Sequence, residues 1–437
     1  MGLFLSILAF ALSWQFGRRS VGAGMVVVLA VGYSYGLMRA RVFDGFSHFM
    51  FDAAVLGLYV ARFADIGGRT RMPADRSFYQ WVAFLIVWPF VVLAIGMVFP
   101  VPFLIQLVGL RAAIWFLPFL LVGMQTGPAD LRVITRGLAL LNLVALAFGL
   151  GEYFFGIETF LPQNAATELI YRSKDIAGYE YHRIPSTFVS AGSYGAVMVA
   201  TWPFLAGRWA IPGIVLEERL LLTAGLVAAG LGVFLCGSRT PVVMFFLVAA
   251  VTIYQLKSRL GYILLFALLG AGVGYVVAGN ERLQRFTSLD DSEYVTWRIG
   301  GSANIGILDL LREYPMGGGL GSAFGTSIPS FLQHLAPNDP IGAENEYSRI
   351  GTEQGVVGLG LWLAFLSWFF ARTALYRGPG IGLRYSATLF YLLMTWGLAW
   401  LGTGLLLSVP GTAIVLFQMG WLGRRAGELP AASAPGS

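Results

Sequence analysis

The chain has 437 residues, 57% hydrophobic and only 12% charged, with a net charge of +6; a soluble domain is about a quarter charged, so a water-soluble globule is excluded. Its one cysteine, Cys236, excludes an intrachain disulfide and a cysteine-based metal site, and His48, His182 and His334 stand at no metal-ligand spacing. No basic soluble domain is present that would hold nucleic acid.

Mean hydropathy is +0.71, and apolar runs recur from end to end. A helix needs about 20 apolar residues to cross a bilayer. Only helices or closed barrels satisfy their backbone there, and no alternating barrel pattern is visible. The expectation is an all-α polytopic membrane protein. In chain order the spans are expected at 3–16, 21–38, 46–64, 78–99, 103–124, 138–156, 187–206, 221–236, 241–256, 262–279, 355–371, 385–402 and 409–422, which makes about 12–13 transmembrane helices. The first run has no basic residue ahead of it and Arg18 and Arg19 behind it. A secretory signal has the opposite order, so this run is expected to be retained. Residues 1–422 are expected to form a single transmembrane domain. Residues 423–437, ending in "GELPAASAPGS", are expected to be a disordered cytoplasmic tail.

Orientation follows from Lys and Arg in short loops. One alternating set holds Arg18/Arg19, Arg69/Arg71/Arg76, Arg132/Arg136, Arg208/Arg219, Lys257/Arg259, Arg372/Arg377/Arg384 and Arg424/Arg425, and is expected to be cytoplasmic. The other set holds the two longest loops, 157–186 and about 280–354, expected on the outer face. Arg39 and Arg41 break the pattern. The larger loop carries aromatic residues and a helix-like rhythm in "RIGGSANIGILDLLREYP", stopped by Pro315 and the glycines at 317–319. Short helices are expected there, capping the bundle.

Arginines on the disfavoured outer side are the informative exceptions: Arg183 in "YHRIPSTF", Arg239 in "CGSRTP", Arg298 in "VTWRIG" and Arg349 in "NEYSRIGTE". Each alone reads as a side chain snorkelling to the headgroups. Together they read as an anion site, because the guanidinium fork matches phosphate oxygens bidentately. Arg239 also stands beside a helix start marked by Pro241, where the backbone dipole favours anions. "PMGGGLGSAFG" (315–325) is not a P-loop, since no Lys-Ser or Lys-Thr follows. It is either a plain connection or a turn whose N–H groups approach a bound anion. Glu344 reads either as a solvated loop acid or as a general base, with Asn345 beside it to orient a hydroxyl or the carboxylate.

The order of these pieces resembles the O-antigen ligase and O-antigen polymerase superfamily of bacterial inner-membrane proteins. The pieces are "RIPSTFVSAGSYGA", "GSRTPVVMFFLVAAV", "WRIGGSANIGILDLLREYPMGGGLGSAFG" and "ENEYSRIGTEQGVVGLGLW". The resemblance covers the chain from about residue 180. It implies a GT-C-like helical bundle with a large periplasmic loop, 280–354, in the bacterial cell inner membrane. It further implies a metal-independent inverting glycosyltransferase that needs no cofactor, with its active site on the periplasmic side. The donor would be a glycan on undecaprenyl diphosphate, and the acceptor a glycan or glycolipid. By the resemblance, Arg239 and Arg298, with Arg183, bind the diphosphate. Glu344 falls where ligases carry a catalytic His, and Asn345 matches the Asn beside it. Glu353 and Gly355 match the family's "E-x-G". Arg349 and Tyr347 are candidates for substrate contact. A carboxylate in the His position resembles polymerase-like members, so polymerisation of O-antigen or exopolysaccharide repeats is the expected function. A ligase moving finished glycan onto a lipid A-core or protein acceptor is the alternative within enzymes. A lipid or polysaccharide transporter is the alternative of another class.

Overall fold

A computed structural model describes residues 1–42, 44–64, 76–96, 101–172, 182–256, 307–323, 328, 330–335, 345–375, 382–400 and 405–424. The expected span 262–279, loop residues 280–306 and the tail from 425 lie outside these. The described chain is helical throughout, with no strand among the described residues. Among the described residues, six helices are long and apolar enough to cross a membrane: Val21–Arg41, Arg76–Gly96, Phe103–Met124, Pro128–Phe155, Leu216–Leu235 and Glu346–Leu375. The sequence suggested 12–13. Among the described residues, several of the other apolar runs fold as shorter helices. Met50–Phe63 has 14 residues, Arg239–Gln255 has 17, Leu383–Leu398 has 16 and Gly411–Gly423 has 13, all under the roughly 20 needed for a full span. The large loop does hold short helices, Ile307–Glu313 and the 3-10 turn Ser330–Leu335.

Helix ends sort into two groups, and side-chain and backbone contacts link each group around the bundle. At one end Glu218 bridges Arg136 (2.7 Å) and Arg208 (2.8 Å). Arg384 packs on Gly207, where a Cβ would sit 2.3 Å from its own Cβ. Tyr385 donates to the Thr373 carbonyl (3.0 Å), Arg372 to that of Gly423 (3.3 Å) and Arg424 to that of Thr126 (2.7 Å). Arg62 donates to Gln125 (3.1 Å), and the Gly22 N–H to Asp130 (2.9 Å). This arginine end therefore gathers Arg136, Arg208, Arg372, Arg384 and Arg424, which the sequence placed on one side. The opposite end holds Asp44, Glu152, Ser186, Ser193, Ser408 and Glu346. Arg41, which broke the charge pattern, lies there for a local reason: its Nε donates to the Phe160 carbonyl (2.9 Å). Arg39 lies over the Tyr35 ring at 5.3 Å.

Close backbone approach sets the core. A Cβ on Gly420 would fall 2.0 Å from the Leu120 carbonyl oxygen, and one on Gly123 would fall 2.2 Å from that of Phe417. The helices Gly411–Gly423 and Phe119–Met124 touch through these two glycines, the small-residue packing favoured where lipid supplies no hydrophobic drive between helices. Elsewhere in the core, Arg111 grips Asp52 with two bonds, Nε at 2.6 Å and Nη2 at 2.5 Å.

His48 is buried in the 3-10 turn Gly45–Phe49 beside this pair. Burial, followed by the cationic Arg39 and Arg111, lowers its pKa from 6.5 to about 4. The unfolded chain therefore takes up the proton first. Stability is full above about pH 6.5, falls between there and about pH 4, and then levels. Melting curves of His48→Gln in detergent are expected to lose that part of the acid slope; an unchanged slope would contradict the assignment.

Candidate functional site

The segments singled out in the sequence meet in two pairs at the end opposite the arginines. The first pair joins residues 182–195 to 236–241. Ser190 caps the helix Ala191–Trp209 through its side chain. Gly195, just inside that helix, lies against the next connection: a Cβ there would be 2.5 Å from Cys236 Sγ and 2.9 Å from Pro241 Cβ. Gly237 has φ +61, in the left-handed region open to glycine. Arg239 then opens the helix Arg239–Gln255 with Pro241 in its first turn, as the sequence suggested. Arg183 and Arg239 are both half-buried.

The second pair joins the glycine-rich turn to the helix Glu346–Leu375. That helix is broken at Gly355, whose φ of 71° and ψ of −172° are not helical. The break frees the Val356 N–H to donate to the Pro315 carbonyl (2.9 Å). A Cβ on Gly355 would fall 2.5 Å from the Pro315 oxygen, so only glycine fits. The Gln354 carbonyl, left at the end of the upper half-helix, accepts from Trp88 Nε1 (3.0 Å). The turn is fastened by its own amides: Gly317 N–H donates to Tyr314 (2.9 Å), Gly318 to Thr352 (2.7 Å) and Ser322 to Gly319 (3.2 Å). The Gly321 N–H donates to Glu353. These four N–H groups hold protein acceptors, so the turn serves to clamp the broken helix.

The upper half-helix carries a buried ion triad. Arg349 donates through Nε to Glu346 (2.9 Å) and through Nη1 to Glu353 (2.8 Å). Glu346 is 0% exposed, and Arg349 and Glu353 are each 4%. The pattern E-x-x-R-x-x-x-E puts both acids one turn from the arginine. The sequence offers Arg349 as a candidate for substrate contact and does not announce the triad. Arg349 therefore engages the protein interior rather than standing open to substrate, with Glu346 as its buried partner. Tyr347 also faces inward. Its hydroxyl donates to the Trp396 carbonyl (2.8 Å), and its ring stacks on Trp400 at 4.2 Å between centroids. Asn345 is fully buried, and its Oδ1 accepts from the Ser348 N–H (2.7 Å). It thus caps the half-helix. Glu344 and Arg298 lie outside the described residues.

A carboxylate that the sequence did not single out stands at the same end. Glu152 closes the long helix Pro128–Phe155 and is 1% exposed. Its Oε2 accepts from the Ser186 N–H at 2.8 Å. Nothing local in "FGLGEYFFG" announces that residues 182–190 fold over it. No group of His, Cys, Asp and Glu able to hold a metal ion occurs among the described residues. Comparison with protein-family models and with curated proteins returned no match.

Proposed function

We propose that this protein is a multi-pass glycan transferase with a GT-C-like fold, polymerising O-antigen or exopolysaccharide repeat units from an undecaprenyl-diphosphate-linked donor. Its site would lie on the periplasmic face of a bacterial inner membrane. The observation that supports this best is the pairing of the four family-like segments at one end of the bundle, away from the arginine end. Positive-inside topology makes the arginine end cytoplasmic, and the candidate site then faces outward, where no nucleotide is needed.

In the proposed reaction an acceptor hydroxyl attacks the anomeric carbon of the donor. The new C–O bond forms as the anomeric carbon–diphosphate bond breaks with inversion. The hydroxyl proton passes to Glu344, and the diphosphate leaves with the bonding electrons. Arg239, Arg298 and Arg183 are the cations assigned to that developing charge, commonly the largest catalytic contribution. Asn345 holds the backbone next to Glu344. Arg239→Lys keeps a point charge and loses the bidentate fork. It is expected to cut transfer at least about tenfold, the cost of one charge-assisted hydrogen bond, in an assay with purified lipid-linked donor. Full activity of the lysine variant would remove the bidentate role.

One observation favours a second reading. A helix broken at Gly355 beside buried charges is a device of transporters. A transporter would move the lipid-linked glycan and leave its anomeric bond intact, so consumption of donor separates the two.

A further inference from the structure

Ser186 is the one non-glycine residue with positive φ among the described residues, at +54°. That conformation is costly for a residue with a side chain and persists only where the surroundings over-determine it. The same helix supplies the restraint at both of its polar groups. The Ser186 N–H donates to Glu152 Oε2 (2.8 Å), and its Oγ donates to the Ala145 carbonyl (2.7 Å). Both bonds are buried. The far side is held too, since the Leu37 N–H reaches the Thr187 carbonyl (3.1 Å), and a Cβ on Gly36 would collide with Phe188 at 2.1 Å.

Glu152 has no arginine or lysine within ion-pair distance among the described residues. Its Oε1 is buried without a hydrogen-bond partner. The Tyr194 hydroxyl, close enough to Glu152 to interact electrostatically, is likewise buried and unpartnered. It sits where Gly149 and Gly232 leave room, 3.3 and 2.6 Å from where their Cβ atoms would be. A carboxyl buried without a cation is expensive for a role as slight as ending a helix. What it does hold is the strained residue three positions after Arg183.

We infer that Glu152 is a positioning residue for Arg183: through the Ser186 amide it latches the 182–190 segment in its strained form and thereby sets the place of the Arg183 guanidinium at the candidate site. The latch is a feature of the fold. Its catalytic consequence rests on the transferase reading above.

The test is a double-mutant cycle on KM for undecaprenyl-diphosphate-linked donor, with purified protein in nanodiscs. Glu152→Ala is expected to raise donor KM about tenfold, the order for losing one hydrogen bond to a carboxylate. Glu152→Gln, whose carbonyl still accepts from Ser186, is expected to recover most of that loss relative to alanine. In an Arg183→Ala background, Glu152→Ala is expected to add little, because the two act on one interaction. Equal, independent effects in both backgrounds would overturn the latch. A second measurement stands apart from activity. Cys236 is the only cysteine and is buried, so Arg183→Cys offers one accessible thiol. Its labelling rate with a methanethiosulfonate is expected to change about tenfold when Glu152→Ala is added; an unchanged rate would overturn the latch. If the wild type shows no transfer at all, the functional reading fails, and the labelling result alone decides the latch.

Discussion

Glu344→Gln is expected to abolish visible polymer while the protein still inserts and folds. Removing a general base lowers rate by about 10²–10⁴, more than the loss of any one diphosphate contact. The carboxamide keeps the size of the side chain and cannot take a proton from the acceptor hydroxyl. Glu344→His is the informative companion. If the position needs only a base, imidazole restores part of the rate, since it accepts protons near neutral pH. Glu217, exposed at the arginine end, is the control, and Glu217→Gln is expected to leave activity unchanged. Polymer formed from purified lipid-linked donor at matched protein levels is the measurement. Near-normal polymer from Glu344→Gln would return this stretch to a helix start that merely carries acids.

Arg349→Met is expected to be the most damaging substitution for folding. It leaves Glu346 and Glu353 buried without the guanidinium that joins them. Breaking a buried ion pair from one side costs about 3–5 kcal/mol, a large share of the roughly 5–15 kcal/mol that holds a typical domain together. Yield of monodisperse protein and melting temperature in detergent are both expected to fall sharply. Arg349→Lys retains the charge, loses the fork and is expected to fall less. For the same reason Glu346→Gln is not a mild comparison for Glu344→Gln, since it removes one anion of the triad. A melting temperature unchanged by Arg349→Met would show that the triad does not hold the half-helix.

The apolar runs made the helices legible, because a stretch such as 138–156 leaves the backbone no other way to satisfy itself in lipid, although the helix Pro128–Phe155 starts well before that run. The sidedness of Arg136, Arg208, Arg372 and Arg384 was legible for the same kind of reason, since a charge preference acts on each loop independently. Whether a run crosses or only packs inside was not legible. The helix Gly411–Gly423 looks like a span in sequence and is a 13-residue piece tied by close glycine contacts to the Phe119–Met124 helix. The site divides along the same line. The turn at 315–321 was visible as a local signal, because turns are written in neighbouring residues, whereas the cap made by Asn345 and the break at Gly355 were not. Arg349 has both partners at helical spacing, but spacing alone does not distinguish a triad turned into the protein from one turned to substrate. Glu152 and Ser186 are 34 residues apart, and Asp52 and Arg111 are 59 apart. Those contacts are made by folding and leave no trace in local pattern.

Glycan transfer by the purified protein is the central claim, and one assay reaches it directly. The protein, alone in nanodiscs and without nucleotide, is incubated with a purified oligosaccharide linked to undecaprenyl diphosphate, and the products are separated by length. A ladder of longer lipid-linked glycans, with free undecaprenyl diphosphate released in step, is the expected result. Donor recovered intact, its anomeric bond unbroken under conditions where it demonstrably binds, would contradict it.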